Sequence, residues 1–336
     1  MANLITEKIF RFNLPDGKKK ERIDLFLANS IENATRTRIQ KLIEAGYVTV
    51  NAKVIKSNYK VAPRDYIEVS IPVSPRPEFP EPEDIPIEVV FEDEYIIIVN
   101  KGPGMAVHPS LGNYSGTLVH ALLHHTQKLS AANTPGRPGI VHRIDKDTSG
   151  LVIVAKDNYT HSHLASQFSR HTIDREYQAI VWGLPDADSG TIDTYICRSK
   201  KDRKKFTASV DEGKRAITHY EVLQRFEFAS LVKLKLKTGR THQIRVHMAH
   251  IGHPVFGDAF YGGRAVIYGS QLPKIKQRVA NLLDVVQRQA LHAKTLGFVH
   301  PVTKEHLIFD SRLPKDMQYL LDEISSTYKE DYDTDI

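Results

Sequence analysis

The sequence predicts an α+β protein whose larger domain is a mixed, mostly antiparallel β-sheet with flanking helices. In the C-terminal part, strand-like apolar runs outnumber helical stretches. They often follow one another without the helix that a β–α–β unit places between strands. A smaller basic α/β domain precedes this part, and a proline-rich acidic stretch separates the two. The length of 336 residues suggests two or three domains of about 100–200 residues each.

The N-terminal domain is predicted over residues 1–72, as two short helices and a small sheet. Thr35 suits the N-cap of the second helix, and Gly46 suits the left-handed residue at its end. A hairpin over 48–54 and a strand over 66–71 complete the domain. Apolar residues at i, i+3, i+4 give each helix one apolar stripe: Ile23, Phe26 and Leu27, then Ile39, Leu42 and Ile43.

Charge is unevenly distributed along the chain. Residues 18–71 carry eleven Lys/Arg against six Asp/Glu, whereas the residues from Pro314 onward carry two Lys against seven Asp/Glu. This asymmetry predicts a polyanion-binding module at the N-terminus and a solvated acidic tail over 316–336, the alternative being an ordinary charged surface. Arg36, Arg38 and Lys41 are the candidate polyanion ligands, and the last two lie one turn apart, off the apolar stripe.

A linker is predicted over 73–86, because six prolines and four acidic residues lie between Pro72 and Pro86. The large domain is predicted over 87–315. Its expected strands are 95–99, 151–155, 177–181, 216–222 and 231–236, and its expected helices are 117–125, 159–169, 241–250 and 275–284.

Composition excludes several classes of protein. Hydrophobic and charged contents of 41% and 26% are those of a globular chain. The apolar runs fall far short of the ~20 residues of a membrane helix, and the first twenty residues contain no secretory apolar segment. A single cysteine, Cys197, fits a reducing compartment, so a cytoplasmic protein without a membrane partner is expected.

Common cofactor motifs do not occur in the sequence. The dinucleotide and P-loop glycine patterns and the GxSxG elbow are absent. Histidines recur at His247, His250 and His253 and at His120 and His124, but no HExxH motif or cysteine pair accompanies them. We therefore expect no metal, and we expect these histidines to hydrogen-bond to phosphate or backbone groups.

The segment GRPGIVHRIDKDTSGLVIVAK (136–156) contains the strongest catalytic candidates. A polar loop lies between two apolar runs, and catalytic groups are often held on such loops. Asp145 or Asp147 is the candidate nucleophile or base, and Arg143 and Lys146 favour the ionised carboxylate. Taken alone, the segment is equally compatible with an ordinary charged turn.

A second basic segment, RSKKDRKK (198–205), has six cations in eight residues. It is a candidate clamp for a nucleic-acid backbone. The alternative is a solvated, exposed hairpin.

HRIDKDTSG resembles the catalytic loop of the RluA-type pseudouridine synthases, and the resemblance covers residues 20–315. The N-terminal domain resembles the S4 RNA-binding module, so the similarity is greatest to the RluD branch, which carries one. One departure is Gly102, where the family commonly has proline. The other matching runs follow in the family's order: NKGPGMAVHP (100–109), REY (175–177), KTGRTHQIRVHMAHIGHPVFGD (237–258), YGG (261–263) and RQALHA (288–293).

The resemblance implies roles for particular residues. Asp145 matches the catalytic aspartate, Tyr177 the active-site tyrosine, Arg240 the arginine paired with the aspartate, and Arg143 the residue associated with displacing the target base. Asp147 has no such match and is interpreted as structuring the loop. The substrate-binding candidates are Arg143, His142, Lys101, Arg245, Arg36, Arg38 and Lys41.

The implied activity is isomerisation of uridine to pseudouridine in RNA, most similar to enzymes acting on 23S ribosomal RNA or a large-subunit precursor. No cofactor and no DNA partner are implied, and a monomer is expected. Breaking the N1–C1′ bond builds positive charge at C1′. Asp145 could capture that carbon, stabilise it or remove the 2′ proton. Two alternatives remain: a non-catalytic S4-type RNA-binding protein, and a base glycosylase or nucleoside hydrolase.

Overall fold

The computed structural model of the chain describes residues 6–31, 34–73, 79–110, 112–132, 137–266, 268–269 and 273–330. The chain divides into two compact units, Met1–Pro77 and Glu78–Ile336. In the described parts, no helix combines the length and the apolar character that a membrane crossing requires.

The first unit is a four-stranded antiparallel sheet packed against two helices. In chain order its elements are β1 (Thr6–Asn13), α1 (Ile23–Ser30), α2 (Arg36–Glu44), β2 (Val48–Val50), β3 (Lys53–Val54) and β4 (Tyr66–Val73), and the strand order is β1-β4-β2-β3. Thr35 caps α2 through the backbone N–H of Arg38, and Gly46 has a φ of 80°, as predicted. The sequence analysis did not assign β1, which pairs with β4 along its full length.

The core of the first unit is formed by the two apolar stripes. Ile23, Leu27 and Ile39 are fully buried between the helices and the sheet, and Phe26 packs at the edge of the same cluster. Burial of a side chain of this size contributes about 1.5–3 kcal/mol, so the periodicity that predicts the helices also holds them on the sheet.

The second unit contains a ten-stranded sheet, and every strand pair among the described residues is antiparallel except β13–β7. This confirms the mixed, mostly antiparallel sheet, whose order is β10-β9-β11-β12-β8-β13-β7-β6-β5 with β14 added beside β13. The strands are β5 (Glu88–Glu92), β6 (Ile96–Lys101), β7 (Ser149–Ala155), β8 (Asp174–Trp182), β9 (Ser189–Arg198), β10 (Phe206–Ser209), β11 (Lys214–Arg225), β12 (Ala229–Leu236), β13 (Leu291–Val299) and β14 (His306–Asp310).

Helices cover this sheet. Four of them, α3 (Leu118–His125), α4 (Asn158–Arg170), α5 (Gln243–His250) and α6 (Pro273–Val285), lie where the sequence predicts helices. Buried residues of β7, β8 and β12 form the centre of the main core together with those of α3 and α5. The side chain of Trp182, at the end of β8, is fully buried there.

The acidic tail predicted over 316–336 is helical over residues 316–330, so the prediction of a solvated tail is wrong for this part. Helix α7 (Lys315–Glu330) begins there, and Met317, Leu320, Leu321 and Ile324 are buried in the main core. Their i, i+3, i+4, i+7 spacing is an amphipathic stripe. The count of acidic residues concealed this stripe. Residues 331–336 are outside the described residues.

The predicted linker is also partly incorporated into the second unit. Residues 74–78 lie outside the described residues, but Glu83 accepts hydrogen bonds from the backbone N–H of Gly116 at 3.0 and 3.2 Å. Its own N–H donates to the carbonyl of His120. A carboxylate beside the start of α3 is favourable, because the N–H groups of a helix's first turn lack partners within the helix.

Candidate active site

Asp145 lies on a loop, residues 141–148, that leads directly into β7; we call it the Asp145 loop. Behind it, Gly150 has a φ of 117°, and a Cβ at that position would stand 2.2 Å from the carbonyl oxygen of Ala293. Glycine is therefore required where β7 and β13 begin their parallel pairing. This close approach fixes where the loop enters the sheet.

Lys101 binds the backbone of the Asp145 loop at residue 146. Its ammonium group is buried and donates to the carbonyls of Gly102, Met105 and Lys146 at 2.7, 2.9 and 3.0 Å. Burial lowers the pKa of Lys101 to about 7, and the three carbonyls take the three protons of the charged form. Lys101 was predicted to bind substrate, and in this arrangement all three of its donors are used inside the protein to support the loop.

Arg288 binds the backbone of the same loop at residue 147. Its Nη1 donates to the carbonyl of Asp147 at 3.0 Å. Its Nε and Nη2 form a fork on the carboxylate of Asp316 at 2.7 and 2.8 Å. Asp316 lies in the first turn of α7, so the C-terminal helix is tied to the Asp145 loop through one side chain.

One guanidinium group links Asp145 to the protein interior. Arg245, on α5, is 4% exposed and donates through Nη1 to Oδ2 of Asp145 at 2.9 Å. Its other nitrogens fork onto the fully buried Asp258, with Nε to Oδ2 at 2.6 Å and Nη2 to Oδ1 at 2.9 Å. In the described structure no hydrogen bond reaches Oδ1 of Asp145, so this oxygen is available to a ligand.

His242 faces the same oxygen of Asp145 from the other side, with Nε2 at 4.0 Å. Its Nδ1 is 2.8 Å from the hydroxyl of Tyr261, which itself accepts the backbone N–H of Phe206 at 3.0 Å. With the tyrosine hydroxyl assigned as the donor to Nδ1, the imidazole proton lies on Nε2, toward Asp145. Burial lowers the pKa of His242, so the ring is neutral at pH 7.

His242 also adopts the left-handed conformation, with a φ of 56°. This conformation is costly for a residue with a Cβ. It turns the chain just before α5 and so sets the direction in which the helix presents Arg245.

Asp145, His242 and Arg245 line a cleft of about 520 Å³. Tyr177, which points inward from β8 and is 8% exposed, forms a flat wall, and burial raises the pKa of its phenol. Arg143 is an exposed side chain on the Asp145 loop, and its Nη1 lies 3.4 Å from Nε2 of the buried His108. Tyr177 and Arg143 therefore both border the space in front of Asp145.

The arginine that contacts Asp145 is not the one predicted. Arg240 was expected to pair with Asp145, but its Nε donates to the carbonyl of Arg215 at 3.0 Å, and the side chain is largely exposed. Arg240 lines the cleft without touching the carboxylate. The partner of Asp145 is Arg245, which the sequence analysis counted only as a substrate-binding candidate.

His142 supports the Asp145 loop and contributes part of the cleft lining. Its Nε2 accepts the N–H of Ile153 at 3.0 Å, and its ring stacks on Phe168 with centroids 4.5 Å apart. Burial, and next the charge of Arg175, lower the pKa of His142 to about 3, so the ring is neutral. Its accepting nitrogen is therefore occupied by backbone.

The N-terminal candidates lie on α2 of the first unit. Arg36 donates to the fully buried Asp24 at 3.0 Å. The side chains of Arg38 and Lys41 are exposed, and the described residues offer neither an ion pair.

Of the histidines considered for metal binding, His120, His247 and His253 have hydrogen-bond partners among the described residues. His247 is 3.1 and 2.8 Å from the hydroxyls of Thr194 and Thr218, and His120 forms the capping box of α3 with Thr117. The described part of the chain contains no group of three or more metal-ligating side chains.

Residues 198–205 form the turn between β9 and β10. Lys200 pairs with Glu212 at 3.0 Å, and Arg198 donates to the carbonyl of Arg203. The strand that follows begins at Phe206, whose N–H binds Tyr261, so this basic hairpin connects to the hydrogen bonds around His242.

Comparison with known proteins matches both units to family models. Residues 95–250 match the family described as RNA pseudouridylate synthase, and residues 21–67 match the S4 domain. The first match contains Asp145, Tyr177 and Arg245.

Two relatives extend over nearly the whole chain. Ribosomal large subunit pseudouridine synthase D of Zymomonas mobilis is 46% identical, and the match covers 89% of this chain and 92% of the relative. The protein of the same name from Escherichia coli K12 is 39% identical, with 93% of each chain covered. Human RNA Pseudouridylate Synthase Domain Containing 4 shares the fold with a TM-score of 0.54 and 23% identity, over 71% of this chain and 93% of that one.

Arg245→Met is expected to lower the free energy of unfolding of the second unit by about 3–5 kcal/mol, because Asp258 would stay buried without its cation. Urea unfolding of the full chain, followed by the fluorescence of Trp182, the one tryptophan in the sequence, measures the change. Arg240→Met is the matched control and should change stability by less than about 0.5 kcal/mol. Equal unfolding midpoints for the two variants would contradict the assignment of Arg245.

Proposed function

Since this chain belongs to the RNA pseudouridylate synthase family, we propose that it isomerises uridines of 23S ribosomal RNA and that Asp145 is its catalytic carboxylate. The family assignment makes the protein an RNA-modifying isomerase with an S4 domain, as the resemblance predicted. The observation that carries the assignment of Asp145 is its position: one oxygen is held by Arg245, and the other is available in the cleft.

The chemistry needs a carboxylate in this environment. The N1–C1′ bond of uridine breaks, uracil turns, C5 bonds to C1′, the C5 proton leaves, and N1 gains a proton. Positive charge develops at C1′, as in glycoside cleavage, and a fixed anion nearby stabilises it. Asp145 can do so by bonding to C1′, by electrostatic stabilisation or by removing the 2′ proton. All three roles use the oxygen that Arg245 leaves available.

Tyr177 is proposed to support the face of the uracil. Burial raises the pKa of its phenol, so the neutral form dominates at pH 7 and the phenolate is a scarce base. A buried aromatic wall suits stacking, because bases present a flat π-face to any aromatic side chain. Removal of the C5 proton by this hydroxyl is a weaker proposal than stacking.

Arg143 is proposed to occupy the space left by the target base. A paired uridine must leave its stack to enter a cleft, at a cost of a few kcal/mol. The Arg143 side chain is exposed two residues before Asp145 on the same loop, and a guanidinium plane can stack on neighbouring bases. Such stacking offsets part of the cost of flipping.

Arg38 and Lys41 are proposed to bind RNA phosphates through the S4 domain. Both side chains are exposed on α2 and lack ion-pair partners in the described residues, so their charges are available. Arg36 is a poorer candidate, because part of its guanidinium is used on Asp24.

The proposal of 23S ribosomal RNA as substrate is supported by the relatives, which are named for the large ribosomal subunit. Ribosomal RNA is made and modified in the cytoplasm of bacteria, and a chain with a single cysteine suits that reducing compartment. We place the activity there.

Asp145→Asn should reduce the rate by about 1,000-fold or more, because the charge that stabilises C1′ is lost while the shape of the side chain is kept. Release of tritium from RNA labelled at uridine C5 measures the reaction, and filter binding on the same RNA should be nearly unchanged. Asp147→Asn is the control and should keep most of the activity. An inactive Asp147 variant beside an active Asp145 variant would refute the assignment, and an abasic product would refute isomerisation.

The double variant Arg38→Ala/Lys41→Ala should weaken RNA binding and flatten its salt dependence by about 0.7–0.9 in log–log slope for each phosphate that is no longer neutralised. The rate at saturating RNA should not change. Arg64→Ala is the control, because that guanidinium is already paired with Asp16. An unchanged salt slope would exclude these two side chains as phosphate ligands.

Cells lacking the gene should lose pseudouridine at particular positions of 23S ribosomal RNA. Chemical mapping of pseudouridine in total RNA identifies those positions. The wild-type gene should restore them, and the Asp145→Asn gene should not. Loss confined to transfer RNA or to 16S ribosomal RNA would contradict the proposed substrate while leaving the isomerase activity standing.

A further inference from the structure

Arg175 lies in the cleft and takes no part in the roles proposed for Asp145, Tyr177 and Arg143. It stands two residues before Tyr177 on β8, and alternate residues of a strand share a face. Both side chains therefore point into the cleft, where Arg175 lies beside Phe168, Ser169 and His171 at the end of α4. This end of the cleft is separate from the contacts that hold Asp145.

The positive charge of Arg175 is not neutralised within the part of the chain that the structure describes. Among the described residues, no carboxylate lies within ion-pairing distance of its guanidinium, and its Nε is buried without a hydrogen-bond partner. Buried polar atoms nearly always have hydrogen-bond partners, and leaving a buried group unpaired is costly, most of all when it is charged. A ligand that binds the guanidinium would compensate this unneutralised charge.

The guanidinium is also held in place. Its central carbon lies 5.5 Å from the centre of the Phe168 ring. On another side is Gly239, where a Cβ would stand 3.2 Å from Nη1 of Arg175. An aromatic face and a bare backbone together restrict the side chain before any ligand arrives, which lowers the entropic cost of binding.

The charge balance of the cleft indicates the sign of the ligand. Among the residues that the structure describes, its lining contains the arginines 143, 175, 240 and 245 and a single carboxylate, Asp145. Arg245 is compensated by Asp258, so the excess positive charge belongs to the other three. This excess favours an anionic ligand, and in RNA the anionic group is the phosphodiester, which the planar fork of arginine matches.

We propose that Arg175 binds a backbone phosphate of the RNA close to the uridine held at Asp145. This inference rests on the proposed function, since it takes the same cleft as the place of reaction. It assigns the α4 end of the cleft to the backbone of the substrate and leaves the Asp145 end to the reacting nucleoside.

A thermodynamic cycle tests the pairing. Binding is measured in the Asp145→Asn background, which prevents turnover, on RNAs with one neutral methylphosphonate linkage within two nucleotides of the target uridine. In both the modified RNA and its phosphate control, the nucleotide on the 5′ side of that linkage carries a 2′-O-methyl group. One linkage should weaken binding about 10-fold or more when neutralised, the range of a charge-assisted hydrogen bond.

Arg175→Met should weaken binding of the all-phosphate RNA by a similar factor. In this variant, neutralising that one linkage should change the affinity by less than about twofold. Arg175→Lys keeps the charge and should retain part of the sensitivity. Arg170→Met is the control: Arg170 is exposed on α4 outside the cleft lining, and its loss should leave every linkage effect unchanged.

The inference would be overturned if the effects of Arg175→Met and of methylphosphonate on the binding free energy were additive at every linkage. Unchanged RNA binding by the Arg175→Met variant would also overturn it. Weaker binding with full sensitivity at every linkage would indicate an interaction with a base and would also overturn it. Tritium release by the wild-type protein separates the two proposals. A wild-type enzyme without activity contradicts the proposed function, whereas an active enzyme with an additive cycle contradicts the phosphate interaction alone.

Discussion

The geometry of the site depends on one buried guanidinium, that of Arg245, shared between Asp258 and Asp145. Desolvating such charges is costly, and the cost is met only if the hydrogen bonds are complete. They are nearly so, because Asp258 also accepts the backbone N–H groups of Phe260 and Tyr261 at 2.9 and 3.2 Å. Helix α5, the turn after Asp258 and the Asp145 loop are therefore fixed to one another by a single cation.

The Asp145 loop is held by its carbonyl groups as much as by its side chains. Lys101 donates to the carbonyl of residue 146 and Arg288 donates to that of residue 147, so two side chains hold consecutive peptide units. Because Arg288 is forked onto Asp316, the position of the loop also depends on helix α7. The packing of a C-terminal helix, far from Asp145 in sequence, thus bears on the active site.

The sequence predicts much of this arrangement, and its failures have physical causes. Asp145 and Tyr177 could be chosen from their motifs, but Arg240 and Arg245 lie in the same run and chemistry alone does not separate them. The distinction depends on His242, whose left-handed backbone turns the chain before α5 and sends Arg245 inward. The direction in which a helix presents a side chain depends on the backbone conformation before it, and the periodicity of the sequence does not predict that conformation. The amphipathic stripe of α7 was visible in the sequence, but a net-charge count does not detect periodicity.

The same constraint explains why the cleft suits isomerisation better than hydrolysis. Glycoside hydrolysis commonly uses a second carboxylate to activate water, and Asp145 is the one carboxylate among the described residues that line the cleft. With a single anion held by Arg245 and an aromatic wall at Tyr177, the cleft fits the role proposed for Asp145, stabilisation of the positive charge at C1′.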